Sequence, residues 1–405
     1  TEIVARTVEG GIFRYDYRRA QGRAKQLAQA LMRLGVNAGD RVGSLAWNTH
    51  HHLELFYGVS GMGAVLLTVN PRLSQEQLFY ILDHAAPRWL CIDAATLPIA
   101  EKLASRLATV QGYIYLSTDA VPPANHLPDL LAYEALLAGE TGDYDWPEFD
   151  ERSASTLCYT SGTTGKPKGV LYSHRSAVLS SLAYSTADTF GTYRPGTLDA
   201  IMPITPMFHG NAWQIPYLAP MNGYKLVLPG RNFEPEQLYR LMETEAVTLT
   251  AGVPTIWEGL VAHLEATGQR FSTLRATLMS GLAPSADLLQ KLEVGYGIAV
   301  APIWGMTEAP ATLKGTLKPG LDALPLAERL AQKRKQGRLA YGTRFRLVEE
   351  DGALLPHEGK SVGRWQVRGP WIASGEYRGA EVGAVNTRWL DTGDIGRIGP
   401  DGYVE

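Results

Sequence analysis

The sequence predicts an α/β protein in which two wound α/β subdomains pack together and are joined by a small β-rich, distorted-barrel module. Three observations carry that prediction. Short apolar runs alternate with segments of helical period through the first half, the texture of a wound sheet with helices on both faces. The alternation resumes after Ser173, which implies a second lobe. From Gly337 the runs become short and are separated by Asp351-Gly352, Glu358-Gly359 and Gly369-Pro370, the punctuation of β-structure. At about 150 residues per domain, 405 residues accommodate two or three such units.

Taken in order, Glu2 to Thr7 alternate like a strand. Ala20, Ala24, Leu27, Leu31 and Leu34 mark a helix from Tyr17 to Leu34 that Gly35 stops. A strand over Arg41–Ala46 leads to Asn48-Thr49, a capping pair for the helix carrying Leu53, Leu55, Phe56 and Val59. Strand Val65–Thr68, helix Ser74–His84, strand Trp89–Ile92 and a helix near Ile99–Ala108 follow, and Val121–Arg152 reads as a surface connection before strand Thr156–Tyr159. The second lobe reads as helix 176–188, strand 199–203, helix 211–221, strand Lys225–Leu228, helix Pro235–Thr244, strand Val247–Ala251, helix Thr255–Thr267 and strand Thr277–Ser280. The expected boundaries are 41–165 for one subdomain, 1–40 with 175–305 for the other, and 337–405 for the β-rich part, with no solenoid-length repeat.

Composition narrows the partners. Thirty-eight basic against 41 acidic residues give a net charge of −3, with no basic excess to hold nucleic acid, so small molecules are the expected partners. Cys91 and Cys158 lack metal or redox spacing, which points to a reducing, cytoplasmic setting, with the membrane surface as the alternative. The longest apolar stretch, Val59–Val69, falls short of the roughly 20 residues that cross a bilayer. Homodimerisation is left open. Both ends look cut: the chain opens in a strand and closes on Asp401–Glu405, a turn entering one.

The most informative segment is Tyr159-Thr160-Ser161-Gly162-Thr163-Thr164-Gly165-Lys166-Pro167-Lys168-Gly169-Val170. Small residues let backbone N–H groups close around phosphate oxygens, hydroxyls add donors and lysines add counter-charge. It is not a Walker A loop, because the GxxxxGK[ST] register is absent and the loop runs into apolar Val170-Leu171-Tyr172. His50-His51-His52 reads as a solvated helix start, since consecutive histidines on a helix point in different directions and do not converge on one ion without other ligands. Lys333-Arg334-Lys335 with Arg338 reads as an exposed helix face, with the phosphates of a ligand a second reading.

With Pro206-Met207-Phe208-His209, Trp304-Gly305-Met306-Thr307-Glu308 and Asp391-Thr392-Gly393-Asp394 following in order, the chain resembles the adenylate-forming superfamily of acyl-CoA synthetases, luciferases and adenylation domains. The resemblance covers essentially the whole chain as the large N-terminal domain, and members normally continue into a small domain carrying a lysine for the reacting carboxylate. It implies nucleotide-binding roles for Thr160, Ser161, Gly162, Thr163, Thr164, Gly165 and Lys168, for the adenine walls Gly281, Leu282 and Ala283, and for Trp304, Gly305, Met306, Thr307 and Asp394. Trp304 would stack on adenine and Asp394 would accept from the ribose hydroxyls. Thr163, Lys168, His209, Thr307 and Glu308 are the implied catalytic residues, with Glu308 as ligand of Mg²⁺. Phe208, His209, Trp213 and Val253 are implied in substrate binding, Trp213 as a gate of the acyl tunnel.

An α-amino acid is disfavoured, because His209 stands where amino-acid-activating members carry an Asp. Asn70-Pro71-Arg72-Leu73, Cys158-Tyr159-Thr160-Ser161, Leu171-Tyr172-Ser173-His174-Arg175 and Asn211-Ala212-Trp213 look most like bacterial medium- and long-chain fatty acyl-CoA ligases. The implied reaction joins a fatty acid to CoA through acyl-AMP, with ATP and Mg²⁺. An aryl-acid ligase and a non-catalytic binder of nucleotide or acyl-adenylate are the alternatives. Leu282 departs from the fatty acyl pattern and would place bulk beside the acyl pocket.

Overall fold

The computed structural model describes residues 1–160, 166–186, 189, 199–373, 376–378 and 389–405. Two seven-stranded sheets dominate. The first runs, edge to edge, Leu130–Ala132, Gly112–Tyr115, Trp89–Ile92, Arg41–Leu45, Val65–Thr68, Ala154–Tyr159 and Gly169–Ser173. All its strands are parallel except the last, which pairs antiparallel with Ala154–Tyr159. The second runs Ala299–Pro302, Ala276–Met279, Leu249–Gly252, Ala200–Pro203, Lys225–Leu228, Glu2–Arg6 and Ile12–Asp16, again with one antiparallel edge. Strands Arg344–Val348, Leu354–Leu355, Gly363–Arg368 and Leu390–Gly396 form a four-stranded antiparallel sheet, and a three-stranded sheet stands beside it.

Alternation along each strand splits the core into layers. Leu45, Leu67, Leu90 and Leu157 face helices Gln75–Ala85 and Leu97–Leu103, while Val42, Leu66, Cys91 and Ile114 face inward with Leu27 and Leu53. Ile201, Leu226 and Leu278 of the second sheet join that inner cluster, and Met202, Val227 and Met279 turn outward toward Leu238, Trp257 and Leu288. One apolar layer therefore cements the two sheets, and each fully buried Leu or Ile in it contributes roughly 1.5–3 kcal/mol. Caps set the helix starts: Ser74 and Gln77 form a reciprocal capping box, and Asp16 accepts from Arg19 N at 2.8 Å.

Several expectations are corrected. Val121–Arg152 carries strand Leu130–Ala132 and helix Tyr133–Ala138, whose Tyr133 is fully buried, so part of that stretch is core. Helix Tyr17–Arg33 packs on helix His50–Gly61 in the layer between the sheets, while Glu2–Arg6 and Ile12–Asp16 before it belong to the second sheet. The three histidines are buried, not solvated: His50 stacks on Phe13 and lies tilted against His51, His51 Nε2 meets Glu134 Oε1 at 3.3 Å, and His52 Nδ1 lies 3.2 Å from Trp47 O. Arg23 explains their company, for it donates to Glu54 and to both oxygens of Glu134. Lys333 is likewise mostly buried, in an ion pair with Glu293.

The span 211–221 is not one helix. Gly210, Asn211, Ala212, Trp213 and Gln214 all have φ between 47° and 66°, a left-handed turn, and only Ile215–Met221 continues as α-helix. Left-handed geometry costs roughly 1–2 kcal/mol per non-glycine residue, so something must hold it. Asn211 does: its buried amide donates to Thr156 Oγ1 at 2.8 Å and accepts from Cys158 Sγ at 3.2 Å, both on the first sheet.

Candidate active site

The predicted site residues gather where the parallel strands end. Phe208 and His209 follow Ala200–Pro203, Val253 follows Leu249–Gly252, Ser280 and Gly281 follow Ala276–Met279, and Trp304–Glu308 follow Ala299–Pro302. Thr160 leaves Ala154–Tyr159 of the other sheet, and its N–H bonds Lys168 O at 2.9 Å, closing the base of the Gly/Ser/Thr loop. Ligands of open α/β sheets bind in the crevice beyond the carboxyl ends of the strands. Ser161, Gly162, Thr163, Thr164 and Gly165 lie outside the described residues.

A cavity of about 80 Å³ sits in this crevice, walled by Tyr172, His209, Trp213, Val253, Gly281 and Thr307 among others. His209 stands open at its mouth, and the protein mass around the ring lowers its pKa, favouring the neutral imidazole. Its loop is tied across the sheets by Asn48, fully buried, which accepts from Met207 N at 2.7 Å and donates to Thr205 O at 2.9 Å. Phe208 packs edge-on against Trp47. Gly281 has φ of +91°, which a side chain would strain, and brings bare backbone to the wall beside Val253. Leu282, by contrast, is 67% exposed and takes no part in lining the cavity, so its bulk does not narrow it; Ala283 is exposed too.

Toward the β-rich module, Trp304 Nε1 donates to Asp394 Oδ2 at 2.9 Å, joining the expected adenine platform to the expected ribose acceptor. Phe345 and Trp365 pack edge-on against the indole and fix its plane. Thr307 O accepts from Tyr172 OH at 2.5 Å. The Glu308 carboxyl has its pKa raised, by burial first and by Glu376 nearby, with Lys168 opposing. Glu308 O accepts from Ala373 N, and Tyr377 N donates to Gly169 O, each at 2.7 Å, so Ala373 is tied to one part of the site and Tyr377 to the other.

Sequence reasoning missed Glu376, whose carboxylate pairs with Lys168 at 2.7 Å. The two are 208 residues apart and no local spacing announces them. It also missed Ser280, Tyr172 and Tyr184 as cavity walls.

The sequence matches the AMP-binding enzyme family over residues 2–377. The chain belongs to that family. It is 39% identical, over its full length and 75% of the relative's, to a 3-methylmercaptopropionyl-CoA ligase of Ruegeria lacuscaerulensis. It is 41% identical, over its full length and 73% of the relative's, to a long-chain-fatty-acid–CoA ligase of Thermus thermophilus. The fold matches the crystal structure of a long-chain-fatty-acid-CoA ligase from Archaeoglobus fulgidus with a TM-score of 0.81 at 22% identity, covering 97% of this chain and 77% of that one. The protein is an enzyme, an AMP-forming acid–CoA ligase with the α/β fold of that family's N-terminal domain. No helix among the described residues is long and apolar enough to cross a membrane.

Proposed function

We propose that this AMP-binding protein activates an unbranched aliphatic carboxylic acid with MgATP, releasing pyrophosphate, and passes the acyl group from acyl-AMP to the thiol of CoA. The observation that carries the reading is convergence: the acyl-side groups His209, Trp213 and Val253 share one cavity with Thr307, and Trp304 is hydrogen-bonded to Asp394. A carboxylate oxygen attacks the α-phosphorus and pyrophosphate leaves; the protein aligns the two and compensates charge. No protein nucleophile is required. Burial raises the Cys91 thiol and pushes Cys158 up to about 11, which suits neither for that role.

Glu308 fits a divalent cation. It is a partly buried hard-oxygen donor with a raised pKa and an acidic neighbour, so a cation there relieves an existing strain, and Mg²⁺ prefers one or two carboxylates plus phosphate oxygens. When bound, Mg²⁺ supplies charge neutralisation to the phosphates. Lys168 is placed for phosphates beyond the α position and exchanges Glu376 for them. Lys168→Ala is therefore expected to weaken ATP binding about tenfold and AMP binding much less, read by calorimetry; equal losses would remove Lys168 from the phosphate site.

The relatives' names run from a small thioether acid to long fatty acids. The medium- or long-chain reading of the sequence belongs to this range, and the small cavity supports its shorter end. A panel of butanoate, 3-methylmercaptopropionate, octanoate, decanoate, benzoate, cinnamate and amino acids, scored by pyrophosphate release, tests the assignment. The aliphatic acids are expected to lead; benzoate or cinnamate in front would overturn it.

A further inference from the structure

We propose that Tyr184 sets the length of the acyl group, restricting this site to short aliphatic acids; the inference rests on the ligase reading above. Tyr184 is the last residue of helix His174–Tyr184, which lies between the two sheets, and it is only 4% exposed. Its ring lines the cavity that His209 opens, together with Tyr172 and Pro310. The phenol oxygen accepts from Ala311 N at 3.0 Å, and Tyr172 donates to Thr307 O, so each ring is anchored at its far end. Neither can swing away without giving up a buried hydrogen bond.

The size of the space decides what such a wall does. A cavity of about 150 Å³ takes one benzene ring, so the space of about 80 Å³ that these rings share with Gly281, Gly305, Met306 and Thr307 is smaller than one ring needs. With the carboxylate held at the His209 mouth, the tail meets aromatic rings after a few carbons. Trp213, half-buried on the left-handed turn whose backbone Asn211 holds, bounds the same space. Tyr184 is the large side chain whose truncation deletes no group assigned to nucleotide, Mg²⁺ or carboxylate.

The test uses a series of acyl-sulfamoyl adenosines from acetyl to dodecanoyl, with calorimetric affinities for the wild type, Tyr184→Ala and Tyr184→Phe. Wild-type affinity is expected to peak near butanoyl and to be at least about tenfold weaker for octanoyl, the discrimination that a methylene without space provides. Tyr184→Ala should move that fall outward by two or more methylenes with AMP affinity unchanged. Tyr184→Phe should keep the wild-type length profile while melting lower, because the bond from Ala311 N is lost. A wild type that binds dodecanoyl as tightly as butanoyl, or a folded Tyr184→Ala with the unaltered profile, overturns the role of Tyr184 alone. If Tyr184→Ala does not fold, Tyr184→Leu and the wild-type profile decide the matter. Failure of every member to bind would instead overturn the acyl-adenylate reading, and this inference with it.

Discussion

Glu308→Gln is expected to lower MgATP-dependent pyrophosphate release by about 10²–10³, the usual loss when one preorganised electrostatic contact to a reacting phosphate is removed. The fold should not suffer. Burial already disfavours the charge, as the raised pKa records, and an amide of equal size removes that charge without opening a cavity. The same shift gives a pH signature: the carboxylate must be ionised to meet a cation, so wild-type activity should decline on the acid side at a pH above the ordinary glutamate range. Unchanged pyrophosphate release in Glu308→Gln would sink the metal assignment, and a fall in melting temperature matching the fall in activity would make the residue structural.

Arg23→Ala should produce the largest loss of stability, about 3–5 kcal/mol, because it leaves the buried carboxylate of Glu54 without its cation. Tyr133 OH, 2.6 Å from Glu54 Oε2, cannot offset a full charge. Urea unfolding measures the loss, and Arg23→Met with Glu54→Leu should restore most of it, since no charge then stays buried unpaired. A single-variant loss below about 1 kcal/mol would contradict this account. The network also has an acid limit. Burial alone would raise Glu134, but hydrogen bonds from His51 and Arg23 hold its pKa down at about 2 against an ordinary 4.5. A carboxyl depressed in the folded state stabilises fully above its unfolded pKa, so this contribution is complete above about pH 4.5 and drains away toward about pH 2.

What could be read from the sequence follows from the range of the forces involved. The helix over Tyr17–Arg33, the Thr49 cap and strands such as Arg41–Leu45, Val65–Thr68, Trp89–Ile92 and Lys225–Leu228 are written in spacings of two to four residues and appear in the structure, whereas Ile12–Asp16, Gly112–Tyr115, Leu130–Ala132, Gly169–Ser173 and Ala299–Pro302 were not legible as strands. The motif residues stand out in the sequence because phosphate and metal chemistry would restrict residue type locally. The buried histidines were not legible, since polarity at three successive positions argues for water until Arg23 and Glu134 are brought against them by packing. The turn at Gly210–Gln214 was illegible for a related reason: its sequence is a plausible helix, and the partners that hold it otherwise stand on strand Ala154–Tyr159. Glu376 meets Lys168 only because the β-rich part lies against the edge of the first sheet.

The left-handed turn has a bearing on the order in which the protein assembles. Alone, the segment around Asn211 has no reason to leave the right-handed basin, and its reward, the hydroxyl of Thr156 and the thiol of Cys158, exists only once the first sheet has formed and the second has docked on it. Asn48 works in the opposite direction, from the first sheet to the loop before His209. The mouth of the cavity at His209 thus takes its shape only where the two sheets meet. An intermediate with both sheets formed but not yet docked would carry all of the site's side chains and none of its selectivity for acids.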